Sequence, residues 1–383
     1  MSSRGPGLSS MRAPPTLKDV ARLAECSTAV VSTVINSARG NTAVSAKLRS
    51  KVENAARELG YIPHFASRSL ARRTTQTIGI YIPPGPWTGP GYSYEGKMLQ
   101  GIERACRTTE HDLLLINLTG TTSPELCRIK FAQRRIDGLL LLHVLNNGSW
   151  IDDLLSANPN IVAVDHSAPH PGLGAVMFDN VRAGEMAVNH LVELGHRRIG
   201  FITSSAQPDT IDAALRADGY RKAMKAAGLA VDPAWFFDRA KFPRPLAEGD
   251  ALCQLEGKLG ADYFLALPAE QRPTAIIGWN DLVVVFALQQ LKIRGVKVPA
   301  DMSLVGFDNS EWANTPEMML TSIEHPLAEM GERAALRVIA QAQAMVSVTA
   351  GSEGSSELPD IAAQEFFAPR LVVRDSTAAA LNG

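Results

Sequence analysis

From Thr77 onward the chain repeats one pattern. A short apolar run is followed by a longer segment with apolar residues at helical spacing. Thr77–Ile82, Asp112–Leu118, Gly138–Leu142, Ile161–Asp165, Arg198–Thr203, Thr274–Gly278 and Ser303–Gly306 read as strands. Tyr94–Thr108, Val181–Leu194, Asp212–Ala227 and Asp281–Arg294 read as helices between them. A continuously apolar strand must be covered on both faces, and crossover helices do this by packing on a parallel sheet. The pattern therefore predicts α/β architecture, with more units than one sheet of ordinary width holds. PRLVVRD reads as the last strand, preceded by a small, polar surface loop over Ser347–Asp360.

The stretch Thr16–Leu70 is built differently. Thr16 with Asp19 three residues on is a helix start signal, and Val20, Leu23 and Ala24 follow at helical spacing. Glu25-Cys26 makes a turn, and Ser27 is a natural N-cap for a second helix. That helix would bury Val31, Val34 and Ile35 and turn Thr28, Ala29, Ser32, Thr33 and Asn36 outward. A third helix follows the cap Ser45. Leu48, Val52, Ala55, Ala56 and Leu59 share one face, and Gly60 closes it. Three short helices around one small core form the scaffold that presents a recognition helix to the major groove.

Charge points the same way. Arg12 to Gln76 holds eleven Lys or Arg against four Asp or Glu, while the whole chain has a formal net charge of −1. A basic head on an acidic remainder concentrates phosphate attraction at one end. No apolar run approaches the roughly 18–20 residues of a membrane span. The four cysteines form no CxxC pair and have no histidines at zinc spacing. Reduced thiols and a DNA partner both suit the cytoplasm. Residues 1–15 read as a disordered leader in which Met11 offers a second start. There is no heptad tail, so a dimer is the expected assembly.

The ordered motifs TLKDVARLA, VVSTVIN, VSAKLRSKVENAARELGYIP, RRIDGLLLL, HLVELGHRRIGFI, LRADGYRKAMKAAGL, PTAIIGWND, VPADMSLVGFDN and PRLVVRDST run from Thr16 to Thr377. Together they resemble the LacI/GalR transcriptional regulators. The resemblance implies a small all-α helix-turn-helix head over 16–62, a hinge helix over 63–75, and an effector-binding and dimerisation core over 76–383. That core would be two doubly wound parallel-sheet lobes, like periplasmic binding proteins. Lobe 1 would take about 76–175 and 308–339, and lobe 2 about 176–307 and 340–383, with crossings near Ala175, Phe307 and Ala340. The implied partners are operator DNA, a second copy of the chain, and a sugar-like small molecule. No cofactor, metal or membrane is expected.

The resemblance also names sites. Ser27, Thr28, Ala29, Ser32, Thr33 and Asn36 would face DNA. Thr33 stands where the family often has an arginine, so a bidentate grip on guanine is replaced by a hydroxyl or methyl contact. Glu25 adds a carboxylate near this face with no evident purpose. In HFASRSLARR, Pro63 would start the hinge helix, Arg68 would meet phosphate and Leu70 would wedge between base steps. Effector contacts would come from Arg216, Asn280, Asp308, Asp165 and Trp279, at the carboxyl ends of strands where such sheets bind ligands. Pro83, His143, His166 and Thr203-Ser204 end other strands, and Trp87 is a second stacking candidate. Asp281 reads equally as the carboxylate opening its helix or as a ligand contact. Asp179 reads as a helix cap and His196 as a turn hydrogen-bonder, and Trp279 could instead be lobe core. Gly85, Gly89 and Gly91 lack the register of a phosphate loop. The rival reading is a doubly wound sugar or nucleoside enzyme with a DNA-binding head, for which only the adjacent Asp165-His166 pair speaks.

Overall fold

The computed structural model describes residues 14–35, 44–83, 93–116, 125–142, 150–165, 170–204, 211–239, 251–315, 318–349 and 362–380. Asn36, Trp87, His143 and His166 lie outside these residues, as do most of the leader and of the 347–360 loop; of Leu70, only the backbone is described. The chain divides into two compact units, Met1–Thr77 with Met345–Glu353, and Ile78–Ala344 with Gly354–Gly383.

The first unit is the helical head. Its helices are α1 (Leu17–Leu23), α2 (Thr28–Ile35), α3 (Ala46–Leu59) and α4 (Phe65–Arg72). Thr16 and Asp19 cap α1 reciprocally. Ser27 Oγ accepts from the Val30 amide at 3.3 Å, and Ser45 Oγ accepts from the Leu48 amide at 3.3 Å. Gly60 ends α3 at φ 62°, in the left-handed region that glycine enters without steric cost. Val20, Ala24, Val31, Val34, Val52 and Ala55 form the core. One expectation shifts: Pro63 precedes the N-cap residue His64, and α4 begins at Phe65.

The second unit holds two six-stranded sheets. In the first, β1 (Thr77–Tyr81), β2 (Asp112–Ile116), β3 (Gly138–Leu142), β4 (Ile161–Val164) and β5 (Gly174–Phe178) are joined by β13 (Gln364–Phe367), in the order β13-β5-β4-β3-β1-β2. In the second, β6 (Ile199–Thr203), β7 (Phe236–Asp238), β8 (Ala275–Gly278), β9 (Ser303–Phe307), β12 (Thr321–Glu324) and β14 (Arg370–Val372) run in the order β14-β12-β9-β8-β6-β7. A small antiparallel pair, β10 (Asn314–Thr315) and β11 (Met318–Met319), lies between β9 and β12. The edge strand β14 pairs antiparallel with β12, so the second sheet is not wholly parallel.

The chain changes sheet later than the sequence suggests. It leaves the first sheet after Phe178, returns at His325-Pro326, and crosses again at Ala368-Pro369. The second crossing moves from Phe307 because β12 pairs with β9, with Ile323 opposite Phe307. The third moves from Ala340 because α12 (Leu327–Thr349) packs on the first lobe, and β13 then pairs with β5. Thus β12 and β13 each join the lobe opposite to the expected one.

Glycines set how closely the covering helices pack. α8 (Asn180–Glu193) and α9 (Ile211–Ala226) meet at Gly184 and Gly219. A Cβ on Gly219 would lie 2.0 Å from the Val181 carbonyl oxygen, and one on Gly184 would lie 2.1 Å from that of Arg216. α5 (Ser93–Thr108) meets α12 the same way at Gly101 and Gly331. Because the obstacle is backbone, it cannot rotate aside. Gly219→Ala should therefore cost about 3 kcal/mol, the upper end of ordinary overpacking. Gly96, on the same α5 but with open space at its Cβ position, should gain up to about 1 kcal/mol as alanine. Urea unfolding of the two variants checks both signs.

Candidate ligand cleft and nucleic-acid interface

On the head, Ser27, Thr28 and Ala29 are exposed at the start of α2, and Ser32 and Thr33 are half-buried. The Thr33 hydroxyl donates to the Ala29 carbonyl at 3.0 Å, so what remains toward a base is a lone pair and a methyl group. Glu25 finds its purpose here. It sits in the turn at φ 51°, and its carboxylate meets Lys51 Nζ on α3 at 2.6 Å. Both side chains are solvated, so the pair orients the turn more than it stabilises the head. Arg68 is half-buried on α4, and Arg72 Nη1 donates to Gln76 Oε1 at 3.2 Å.

In the second unit the strand ends of both lobes converge on Arg216. It projects from α9 and is 2 % exposed. Nε donates to Asn180 Oδ1 at 2.8 Å, Nη1 donates to the Trp279 carbonyl at 2.6 Å, and Nη2 lies 3.2 Å from Asp308 Oδ1. The guanidinium also lies 4.8 Å above the Phe307 ring. Burial works against the charge, but Asp308, Asp212 and Asp165 outweigh it and the pKa of Arg216 is raised. Asp308 is held at φ 95°, a conformation that costs a non-glycine residue about 1–3 kcal/mol. Its amide donates to the Ile323 carbonyl at 2.8 Å, which fixes the turn beyond β9.

Asp165 occupies the matching place in the first lobe, just beyond β4, at φ 54° and 4 % exposed. It accepts a short hydrogen bond from the Tyr94 hydroxyl of α5. Burial, and then Asp165 itself, push the Tyr94 phenol well above its ordinary value. His325, on the crossover after β12, lies between the carboxylates of the two lobes. Nε2 is 3.5 Å from Asp165 Oδ1, and Nδ1 is 4.0 Å from Asp308 Oδ1. Its ring stacks on Phe178 with centroids 3.9 Å apart. Tyr94, Phe178, Asn180 and His325 were not singled out from the sequence. The local signal for His325 was a histidine immediately before Pro326 at the start of a helix.

The remaining candidates are more committed than the sequence suggests. Asn280 caps α11 (Asp281–Ile293), with Oδ1 accepting from the Val283 amide at 2.9 Å, and Asp281 opens the helix as its first-turn carboxylate, one of its two readings. Its Nδ2 lies 3.6 Å from Cys253 Sγ. The Trp279 indole N–H donates to the buried Glu256 at 2.9 Å, and its ring packs against two of the unit's hydrophobic cores. Asp179 caps α8 as expected, accepting from the Arg182 amide at 2.9 Å. His196 joins Thr274 at 2.8 Å and Ser303 at 3.0 Å, a structural tie below the sheet ends. Asp281 accepts from the Ser310 amide and hydroxyl at 2.7 and 2.9 Å and from the Ser322 hydroxyl at 2.7 Å, which braces the turn carrying Asp308.

A helix-turn-helix head on a two-lobed α/β core with a polar floor between its lobes defines a regulator whose DNA reader and ligand sensor share one chain. Residues 16–64 match the family model described as bacterial regulatory proteins, lacI family, and residues 188–377 match the periplasmic binding protein-like domain. The ribose operon repressor of Escherichia coli strain K12 is 34% identical over 323 residues, covering 83% of this chain and 90% of that protein. The HTH-type transcriptional repressor PurR of Aliivibrio fischeri strain MJ11 is 30% identical over 322 residues, covering 83% and 89%. Among solved structures, the lac repressor dimer bound to operator and the anti-inducer ONPF superposes with a TM-score of 0.72 at 24% identity, covering 96% of this chain and all of that one. The chain belongs to the LacI family and is a transcriptional regulator.

Burial, with the Asp308 charge adding to it, raises the Asp281 carboxyl to about 7. The unfolded chain releases this proton near 3.8, so between that pH and about 7 the native state binds more protons than the unfolded one. Stability from this group therefore falls as pH rises through that window. Asp281→Asn should flatten the decline, and urea midpoints of the two proteins across about pH 5 to pH 7 test it.

Proposed function

We propose that this protein is an effector-responsive repressor that binds a palindromic operator as a homodimer, with a small, hydroxyl-rich molecule in the inter-lobe cleft changing its DNA affinity. The observation that carries this reading is the convergence of Arg216 and Asp308 at the strand ends of the second lobe, with Asp165 facing them from the first. An Asp308 carboxylate accepts from ligand hydroxyls, and Arg216 holds it in place. Lobe closure over a ligand can shift the DNA-competent population only by the ligand's differential affinity for the two lobe arrangements.

In this reading Ser27, Thr28, Ala29, Ser32, Thr33 and Asn36 meet the major groove, Arg68 meets phosphate, and Leu70 enters the minor groove at the operator centre. Asp165, Arg216, Asp308 and part of the Trp279 ring meet the effector. Asn280 acts mainly by orienting α11, since its carbonyl is engaged as a cap. The relationship to a repressor named for ribose makes a pentose the first ligand to try. The cleft binds and does not turn its ligand over, and the operator places the protein in the cytoplasm.

Operator affinity, measured by fluorescence anisotropy on a sequence selected from random duplexes, should fall roughly 10³–10⁵-fold between about 50 and 200 mM salt if about 6–10 phosphates are neutralised. Removing residues 1–74 should abolish it. D-ribose should change the affinity of the full chain. Asp308→Asn should raise the required dose about 10- to 100-fold, the scale of one buried polar group left unpaired, while effector-free operator binding stays the same. An unchanged dose in Asp308→Asn would remove Asp308 from the ligand site.

A further inference from the structure

Among the described residues, His325 lies within 4.0 Å of an acid from each lobe and belongs to the segment joining them. Its side chain is fully buried. Neither ring nitrogen has a hydrogen-bond partner. The distances to Asp165 and Asp308, 3.5 and 4.0 Å, exceed the roughly 2.7–3.2 Å of a formed bond. A neutral imidazole has a single N–H and can serve only one of these carboxylates, leaving a lone pair facing the other. An imidazolium serves both. On that scale the gap to close is about 0.3–0.8 Å toward Asp165 and about 0.8–1.3 Å toward Asp308.

The surroundings suit a cation. The ring lies on the face of Phe178, tilted by 17°, and meets Tyr94 edge-on at 5.5 Å. The charged groups around it are Asp165 from the end of β4, Asp308 from the end of β9, Arg216 paired with Asp308, and Asp212, which acts on both Arg216 and Tyr94. Asp281 faces Asp308 from α11. The Tyr94 hydroxyl serves Asp165 without adding charge. Three carboxylates thus face one guanidinium before Asp281 is counted, and a proton on His325 reduces that excess by one.

We propose that His325 is a proton-binding crossbar of the cleft: when it carries a proton it donates to Asp165 and Asp308 together and draws the lobes toward each other, so that the lobe arrangement, and with it the response to effector, follows pH. Histidine is the side chain whose ordinary charge change falls in the physiological range, which makes such a tie adjustable. Position adds to the effect. Because His325 sits at a crossing between the sheets, a shift of its ring relative to either carboxylate is a shift of one lobe against the other.

The test needs no effector, so it stands apart from the choice of ligand. Hydrogen–deuterium exchange of the full-length protein is followed at about pH 6 and pH 8, with intrinsic rates corrected, on peptides spanning Asp308–Ser310 and Glu324–Leu327. Corrected exchange should be about tenfold slower at the lower pH, the scale of one charge-assisted hydrogen bond. In the Asp281→Asn background, which lacks the other carboxyl whose charge changes in this range, His325→Gln, which keeps a polar side chain, should abolish the difference. Asp165→Asn in the same background, which removes one end of the crossbar, should abolish it too and decides the matter if the glutamine variant does not fold. Asp281→Asn by itself should still exchange more slowly at the lower pH, which separates the crossbar from that carboxyl. No pH difference in the wild-type protein or in Asp281→Asn by itself, or an equal difference once His325→Gln or Asp165→Asn is added to it, overturns the proposal.

Discussion

The buried guanidinium of Arg216 is the interaction on which the sensor unit depends. A charge taken out of water costs several kcal/mol unless its partners replace the lost hydration. Here an amide oxygen, a backbone carbonyl and a carboxylate replace it, from α8, from the end of β8 and from the end of β9. They lie within reach because Gly184 and Gly219 let α8 and α9 pack backbone to backbone. The glycine contact and the salt bridge are therefore parts of one arrangement. Lose the close approach, and Arg216 is carried away from the strand ends it joins.

That arrangement also explains why the floor of the cleft is polar yet well ordered. Asp308 is held in a costly backbone conformation, and the hydrogen bonds around it over-determine that geometry. Asp281 braces the following turn through Ser310 and Ser322, and the Arg374 guanidinium donates to Asn309 Oδ1 at 2.6 Å. The opposite wall is braced by Tyr94 on Asp165. Rigid walls joined by three short crossings suit a ligand sensor, because binding energy is then expressed as relative motion of the lobes and not as local deformation.

The head follows a different economy. Its small core gains stability from local devices: a reciprocal cap on α1, serine caps on α2 and α3, and a left-handed glycine ending α3. Each such device is worth about 1 kcal/mol, a large share for a unit this small. The residues that spend no energy on this scaffold, Thr28 and Ala29 foremost, are the exposed ones at the start of α2.

Local chemistry was legible in the amino-acid sequence by itself. Caps, glycine stops and apolar runs act within a few residues, so the first three head helices and eight strands of the sensor could be placed from local pattern alone. Arg216 and Asp308 were identified through family resemblance, and they prove to be in contact. What only the tertiary structure decided depends on partners far apart in the chain. β12 and β13 are short, and which sheet each joins follows from its pairing with β9 or β5. The role of Glu25 required Lys51 across the helical turn, and what Asp281 does beyond opening its helix required Ser310 and Ser322. His325 carries no sequence mark of its position between two acids, since Asp165 lies one hundred and sixty residues away and only the folding of both lobes brings them together.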